Sequence, residues 1–363
     1  MSYKTSQRMS EIDLWKLIYA FLIVALHSMY LPVKADRTFF HGGSIGVEFF
    51  FIVSGFFMAH SAGRIKEYDD LAKETKTFLW RKINIFFPYM VFGFCISVVA
   101  RTLYKDGGIV ALIKNCVNGI VELLLLRSSG FGKVFFNGPA WYLSAMILSM
   151  AILYPFILKK GKFARQIICP LLSAFILGYL YQKYGHFRAQ DTFDVFFVKG
   201  MVRGFAEISF GVVCYEIYLW MKKYRFTLLS RIIFTIIEYG SLFAIILYSN
   251  TETCWDMDCV SVLLMGMAII IAASNLSIFS NFWSDLKISK YFGKFSLLLY
   301  LNHIYWVWIF DVVGLNMQYK EMFIYYMVAA VCSALICWVV VDSLKLLFNK
   351  HRKSIYTFFI AEA

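Results

Sequence analysis

Apolar runs of membrane-spanning length follow one another along the chain, separated by short polar segments. A helix needs about 20 apolar residues to cross the hydrocarbon core of a bilayer. Runs close to this length predict ten transmembrane helices, at about 14–31, 44–60, 83–100, 139–158, 167–181, 194–219, 231–249, 259–279, 295–311 and 323–347. The pattern therefore predicts an all-α, polytopic helix bundle. We expect residues 1–363 to form a single membrane-embedded domain with no separate soluble domain.

The apolar run at 109–126 is interrupted by Lys114, Asn115, Asn118 and Glu122. If this run does not cross, the loops rich in Lys and Arg all fall on one side of the membrane, and short basic loops stay in the cytoplasm. These loops are 1–13, 61–82, 159–166, 220–231, 280–294 and 348–354. We therefore expect 109–126 to form a re-entrant or interfacial helix on the outer side. Both chain ends are then cytoplasmic, in a protein of the cell membrane.

The composition supports lipid as the solvent of this chain. Of its 363 residues, 60% are hydrophobic and 16% are charged, whereas a soluble domain carries about 25% charged residues. The formal net charge of +13 comes largely from basic residues in short loops, which is the pattern that sets membrane orientation. We therefore expect the lipid bilayer, and no nucleic acid, as a partner.

The eight cysteines show no metal-binding spacing such as a paired C-x-x-C, so we expect no metal cofactor. Cys254 and Cys259 share a predicted outer loop. Whether they form a disulfide depends on whether that compartment is oxidising, and the pairing stays open.

The first predicted span carries a lysine near one end and a histidine near the other. Lys16 and His27 are eleven residues apart, so they lie within about 20° of the same helix face and about 16 Å apart along the axis. Glu48, in the next span, has a depth similar to that of His27. A carboxylate beside an imidazole fixes its tautomer and raises its basicity, as general-base catalysis requires. The alternative is that Lys16 only follows the positive-inside rule and that His27 and Glu48 are interfacial.

A basic pair, Arg81 and Lys82, opens the third predicted span. It is either a stop-transfer charge pair or a clamp for an anionic group such as the phosphates of coenzyme A. Spacing alone favours the stop-transfer interpretation.

Two later spans carry polar residues at membrane depth, where ionisable groups are expensive and usually functional. Lys199, Arg203 and Glu207 follow one another at i, i+4 and i+8 on one face of the sixth span. Arg203 and Glu207 either neutralise each other or bind an anion or polarise a carbonyl. Asn302 and His303 lie near the middle of the ninth span, where a histidine usually lines a wet cavity or a site. These features predict a bundle with an internal polar cavity, which fits a membrane enzyme and also fits a transporter.

The order of six short motifs resembles that of the membrane-bound acyltransferase-3 family, which O-acylates bacterial surface carbohydrates. Lys16, ten residues and His27 are similar to the family's Arg/Lys-x10-His signature. The other five motifs are IGVEFFFIVSGFFM at 45–58, WRKINIFFPY at 80–89, GPAWYLSAM at 138–146, RGFAEISFG at 203–211 and YLNHIY at 300–305. The resemblance extends over nearly the whole chain.

The sequence departs from the family pattern at two places. Ala145 and Met146 stand where a Val-Glu pair often follows the Trp-x-Leu-Ser motif, so a carboxylate is missing there. Arg81-Lys82 replaces a frequent Arg-Arg pair, which keeps the charge but weakens bidentate phosphate binding.

The resemblance implies a mechanism in which acyl-CoA, with acetyl-CoA as the expected donor, enters from the cytoplasm. Its phosphates would meet Lys16, Arg81 and Lys82. His27, oriented by Glu48, would act as general base on a hydroxyl of a carbohydrate or lipid-linked glycan acceptor. Arg203 or His303 would stabilise the oxyanion. The substrate-binding residues would be Trp141, Ser144 and Glu207.

The alternative is a transporter or flippase of a small anionic or lipid-linked substrate. In that case Arg203, Glu207 and the histidines would bind the substrate or relay protons. The acceptor glycan, the acyl group, a covalent intermediate and the oligomeric state stay open.

Overall fold

The computed structural model describes residues 9–34, 38–131, 134–188, 191–194, 196–251 and 257–361, the side chains only as far as 348. The described residues form an α-helical bundle, as the apolar runs predict. Strand structure in this part of the chain consists of one antiparallel hairpin, in which Phe193–Asp194 (β1) pairs with Phe197–Val198 (β2).

Fourteen α-helices occur in the described segments. In chain order α1 to α14 they are Ser10–His27, Gly46–Ala62, Leu71–Tyr104, Ile109–Asn118, Ile120–Leu123, Trp141–Phe163, Cys169–Tyr184, Lys199–Met221, Leu228–Tyr248, Asp258–Ala273, Ser280–Asp285, Ser289–Leu301, Tyr305–Val313 and Tyr319–Ala361. Short 3-10 turns at Ser28–Tyr30, Gly43–Ile45, Arg127–Ser129 and Gly138–Ala140 connect some of them, and a π-helical turn at Ala164–Ile168 joins α6 to α7.

Six helical segments of the described chain are long and apolar enough to cross a membrane. They are Ser10–Tyr30, Gly43–Ala62, Leu71–Tyr104, Gly138–Tyr184, Leu228–Tyr248 and Tyr319–Phe348. The pair α12 and α13, bent by 50°, forms a seventh if both halves belong to one span. The protein is therefore a multi-pass membrane protein.

The difference between these seven segments and the ten predicted spans has three local causes. The segment Gly138–Tyr184 contains two of the predicted runs, divided at Gly161, whose φ of 54° and ψ of −126° are not helical. Helix α8 carries Lys199, Arg203, Glu207 and Glu216, which is more charge than the composition of a simple span allows. Helix α10 is apolar but has only 16 residues. The count of ten, and the cytoplasmic position of both chain ends, stay predictions.

The interrupted run at 109–126 contains α4, of ten residues, and α5, of four. Ten helical residues extend about 15 Å, half the thickness of the hydrocarbon core. Neither helix is long enough to cross. The pairing of Cys254 with Cys259 stays open, because Cys254 lies outside the described residues.

Helices α2 and α8 cross at two glycines that admit no side chain. A Cβ atom on Gly55 would lie 2.0 Å from the carbonyl oxygen of Ile208, and one on Gly211 would lie 2.0 Å from that of Ile52. This backbone contact agrees with the close packing expected of small residues in membrane helices. It fixes the distance between α2 and α8.

Helix α12 packs against α1 and ends at Leu301, where the chain bends before α13. The carbonyl groups at such a break need partners, because lipid offers none. The Nδ2 of Asn137 donates to the carbonyl oxygen of Leu301 at 2.9 Å, and the Oγ of Ser333 donates to that of Asn302 at 2.8 Å. The bend places His303, two residues after Leu301, beside the end of α1.

Candidate active site

A cavity of about 780 Å3 opens at the end of α1 that carries His27. Its volume lies in the range of ligand pockets. We call it the histidine cavity. Its polar and aromatic wall includes His27, Arg127, Trp141, Arg188, Arg203 and Tyr300.

His27 lines this cavity, and His303 contacts the ring of His27 from outside the cavity lining. The Nδ1 of His27 lies 2.7 Å from the carbonyl oxygen of Ile23 and 3.3 Å from the Nε2 of His303. The Nδ1 of His303 lies 3.1 Å from the carbonyl oxygen of Leu299. Because carbonyl oxygens only accept, both rings are assigned the Nδ1–H tautomer. The Nε2 of His27 then keeps its lone pair for the cavity, as a general base requires.

Glu48 does not orient His27, contrary to the prediction. No hydrogen bond joins the two side chains in the described part of the chain. The Oε1 of Glu48 instead lies 2.7 Å from the Nη2 of Arg203, and the Nε of Arg203 donates to the Oε1 of Glu207 at 2.7 Å. All three side chains are buried.

Helix periodicity explains this pairing. Glu48 and Gly55 are seven residues apart and so lie within about 20° of the same face of α2. Since Gly55 contacts α8, Glu48 also faces α8. Arg203, Glu207 and Gly211 follow at i, i+4 and i+8 on α8 and face α2 in return. The glycine crossing and the ion triad therefore belong to one helix interface.

Arg203 keeps donors free for a ligand despite its two carboxylate partners. A guanidinium has five N–H groups. The Nε donates to Glu207 and one Nη1–H donates to the carbonyl oxygen of Phe187 at 3.3 Å, whereas the Nη2 forms an ion pair with Glu48 and no hydrogen bond. The remaining N–H groups have no hydrogen-bond partner among the described residues. Arg203 lines the histidine cavity, where these groups can donate to a bound oxygen.

The three side chains predicted to bind the acceptor take different positions. Trp141 lines the histidine cavity, with its ring centroid 5.7 Å from the guanidinium carbon of Arg203. Glu207 lies behind Arg203. Ser144 is buried, where its Oγ donates to the carbonyl oxygen of Leu125 at 2.6 Å and accepts from the N–H of Ser128 at 2.9 Å. Ser144 thus joins α6 to a neighbouring loop.

A second cavity, of about 200 Å3, contains Lys16 and Lys82. We call it the lysine cavity. The Nζ of Lys16 pairs with Asp13 at 3.0 Å, whereas Arg81 is exposed and outside the lining. Most of the wall is apolar and includes Phe50, Val53, Phe57, Phe86, Leu143, Met146 and Leu297. The structure therefore brings two of the three predicted donor-binding cations to one cavity.

The side chain of Tyr300 lines both cavities. The predicted residues are thus divided between two cavities that share Tyr300, with His27, Trp141 and Arg203 lining one and Lys16 and Lys82 lining the other.

A family model described as an acyltransferase domain, of the acyltransferase-3 type, matches residues 9–342. The chain belongs to the acyltransferase-3 family. The match includes the lining residues of both cavities and all the predicted site residues. No curated protein and no solved structure matches the chain.

Arg127 is a wall residue of this acyltransferase that the sequence reasoning missed. Its side chain is only 5% exposed, and its Nη2 lies 3.2 Å from both carboxylate oxygens of Asp191. Its Nη1 donates to the carbonyl oxygen of Gly138 at 2.5 Å. The signal in the sequence is an arginine at the end of the apolar run 109–126, directly before Ser-Ser-Gly.

The acyltransferase has no metal-binding cluster in its described residues. No group of three or more His, Cys, Asp or Glu side chains is arranged to hold an ion there.

Proposed function

We propose that this acyltransferase moves an acyl group, acetyl in the simplest case, from acyl-CoA to a hydroxyl of a cell-surface carbohydrate or its lipid-linked precursor. The observation that carries the proposal is the pair of cavities that meet at Tyr300. One is lined by a base and a cation, and the other is lined by two lysines and a mostly apolar wall. Membership of an acyltransferase family favours this reaction over transport.

The lysine cavity is the proposed entry of the donor from the cytoplasm. Lys16 and Lys82 offer positive charge to the phosphates of coenzyme A, and the apolar wall suits the pantetheine arm. The positive-inside rule puts this end of α1 in the cytoplasm, together with both chain ends. The histidine cavity then faces the outer side, where the acceptor would bind.

His27 is the proposed general base. Its Nε2 takes the proton of the acceptor hydroxyl as the oxygen attacks the thioester carbon. The imidazolium that forms keeps its Nδ1–H on the carbonyl oxygen of Ile23 and the Nε2 of His303, so the positive charge has two acceptors in place. His303 acts as a positioning residue, because it is fully buried and outside the cavity lining.

Arg203 is the proposed oxyanion stabiliser. Its free N–H groups would donate to the carbonyl oxygen as negative charge develops on it. A guanidinium fixed by Glu48 and Glu207 needs little reorganisation, which is what makes such donors effective. Collapse of the tetrahedral intermediate breaks the C–S bond and leaves a C–O ester. The proton held by His27 then neutralises the thiolate of coenzyme A, so the balance closes without a co-reactant.

Mass spectrometry of surface glycans tests the proposal. A deletion strain is complemented with wild type or with His27→Ala, membrane expression is confirmed, and the glycans are measured with and without mild base. We expect a base-labile ester that disappears in the deletion strain and returns only with wild type. An ester present at wild-type level with His27→Ala would refute the role of His27. Identical glycans in all strains would refute the acceptor class.

A further inference from the structure

We infer that Tyr300 is a specificity-determining residue that separates the donor from the acceptor cavity and limits the size of the acyl group. The inference rests on the proposed function, since it assumes that an acyl donor occupies the lysine cavity. The proposed function concerns the reaction itself, whereas this inference concerns which acyl groups can reach His27.

Tyr300 is the one residue common to the linings of the histidine and lysine cavities in the described chain. Its side chain is only 4% exposed, so it forms a wall with a cavity on each side and little free volume of its own. An acyl group that enters beside Lys16 and Lys82 has to pass this ring, or displace it, before its carbonyl carbon meets the base.

The ring is held in place on both sides. Its hydroxyl donates to the carbonyl oxygen of Pro139 at 2.6 Å, and Pro139 lines the histidine cavity. On the lysine side its centroid lies 6.0 Å from that of Phe50 and 5.9 Å from that of Tyr142, both cavity-lining rings. On the other side it lies 6.2 Å from the ring of His303.

This packing predicts selection by length. Phe50, Tyr142 and Tyr300 form an aromatic constriction at the end of a cavity of only about 200 Å3. A two-carbon acyl group needs little room beside these rings. Each further methylene has to displace a ring that is packed and, for Tyr300, hydrogen-bonded. Enzymes distinguish one methylene by about 10- to 200-fold through such packing.

The test compares acyl donors of different length on purified protein in proteoliposomes. Acetyl-, butyryl- and hexanoyl-CoA are supplied to wild type, Tyr300→Phe and Tyr300→Leu. Tyr300→Leu removes the ring, so we expect the ratio of hexanoyl to acetyl transfer to rise by about tenfold or more. Tyr300→Phe keeps the ring and loses only the bond to Pro139, so its ratio should rise less.

Tyr326→Leu is the matched control, because Tyr326 is equally buried but lines neither cavity. Its ratio should equal that of wild type. Phe50→Leu widens the same constriction from the lysine side and leaves the Tyr300 hydroxyl bonded. It should move the ratio in the same direction, which keeps the test decisive if Tyr300→Leu does not fold.

The outcomes separate the two proposals. Acetyl transfer by wild type with an unchanged length ratio in Tyr300→Leu and Phe50→Leu would overturn the inference and leave the proposed function standing. Absence of any transfer from acyl-CoA by folded wild type would overturn the proposed function, and the inference with it. A raised ratio in Tyr326→Leu as well would assign the effect to general loosening and also overturn the inference.

Discussion

His303 lies directly behind His27, with 3.3 Å between the Nε2 of His303 and the Nδ1 of His27. The nitrogen of His27 that meets the cavity is therefore the one that His303 does not touch. This geometry resembles other catalytic arrangements in which a third group fixes the tautomer of a base. Here a neutral imidazole occupies the position that a carboxylate often takes.

The histidine pair predicts unequal effects for its two members. His27→Ala removes the base, and we expect kcat to fall by about 10²- to 10⁴-fold. His303→Ala should lower kcat by roughly tenfold with little change in KM, because the base stays but its tautomer and orientation are less fixed. His303→Gln, which retains an acceptor, should recover part of the loss.

Steady-state acetyl transfer in proteoliposomes measures these effects. His60→Ala is the control, since His60 lines neither the histidine nor the lysine cavity. Equal kinetics for His303→Ala and wild type would show that the histidine pair has no role in positioning.

Removing the cation from the triad of Glu48, Arg203 and Glu207 should destabilise the fold. In Arg203→Ala two carboxylates with 1% and 0% exposure lose their counter-charge, and breaking a buried ion pair costs about 3–5 kcal/mol. We expect a low yield of monodisperse protein and a lower melting temperature in detergent. Combining Glu48→Gln, Arg203→Met and Glu207→Gln removes all three charges, so the folded yield should recover while activity should not. Activity in the triple variant would contradict the role of Arg203 in the reaction.

The crossing of α2 and α8 should tolerate no added methyl group. In Gly55→Ala or Gly211→Ala the new Cβ would lie 2.0 Å from a backbone oxygen of the other helix, so the helices must separate and the triad must open. We expect loss of folded protein on size-exclusion chromatography. Gly240→Ala is the matched control, because a Cβ there meets nothing within 4 Å. A folded yield of Gly55→Ala equal to that of Gly240→Ala would contradict the tight crossing.

The basic pair Arg81 and Lys82, which lies within α3, should consist of one residue that binds the donor and one that does not. Lys82 lines the lysine cavity, whereas Arg81 is exposed. We expect Lys82→Gln to raise the KM for acetyl-CoA by about tenfold, the size of one charge-assisted hydrogen bond, and Arg81→Gln to change it by less than about twofold. The Lys82 effect should shrink at higher ionic strength. A larger effect of Arg81→Gln would place the CoA phosphates elsewhere.

The sequence predicts the helical class and the membrane location well, because both follow from the length and composition of apolar runs. The ten crossings that it predicts stay a prediction, and they outnumber the six or seven segments of the described chain that are long and apolar enough to cross. Gly161 and the charges on α8 show why, since a break inside a long apolar helix and a polar buried face both depend on neighbouring helices. The interruption at 109–126 was predictable because polar residues mark it directly.

The error over Glu48 has a general physical cause. The sequence gives the depth of a residue along the membrane normal, and Glu48 and His27 have similar depths. Contact also depends on the rotation of each helix, which packing decides. Gly55 indicates the rotation of α2, because the face that carries it must meet another backbone. Its contact partner on α8, Ile208, is however about 150 residues further along the chain. The sequence does not predict the pairing of His27 with His303 either, because that contact also depends on how the helices are rotated and packed.

The spacing of Lys16 and His27 on α1 limits which changes in sequence length the chain can tolerate. Lys16 belongs to one cavity and His27 to the other, and an unbroken helix of about 16 Å joins them. In the proposed function, this fixed distance separates the residue that meets the charged end of the donor from the base that acts beside its reactive carbon. Adding one residue between Lys16 and His27 would rotate one side chain by about 100° around the helix axis relative to the other. Loops elsewhere can lengthen and apolar residues can be exchanged for one another. The number of residues between Lys16 and His27, however, has to stay constant.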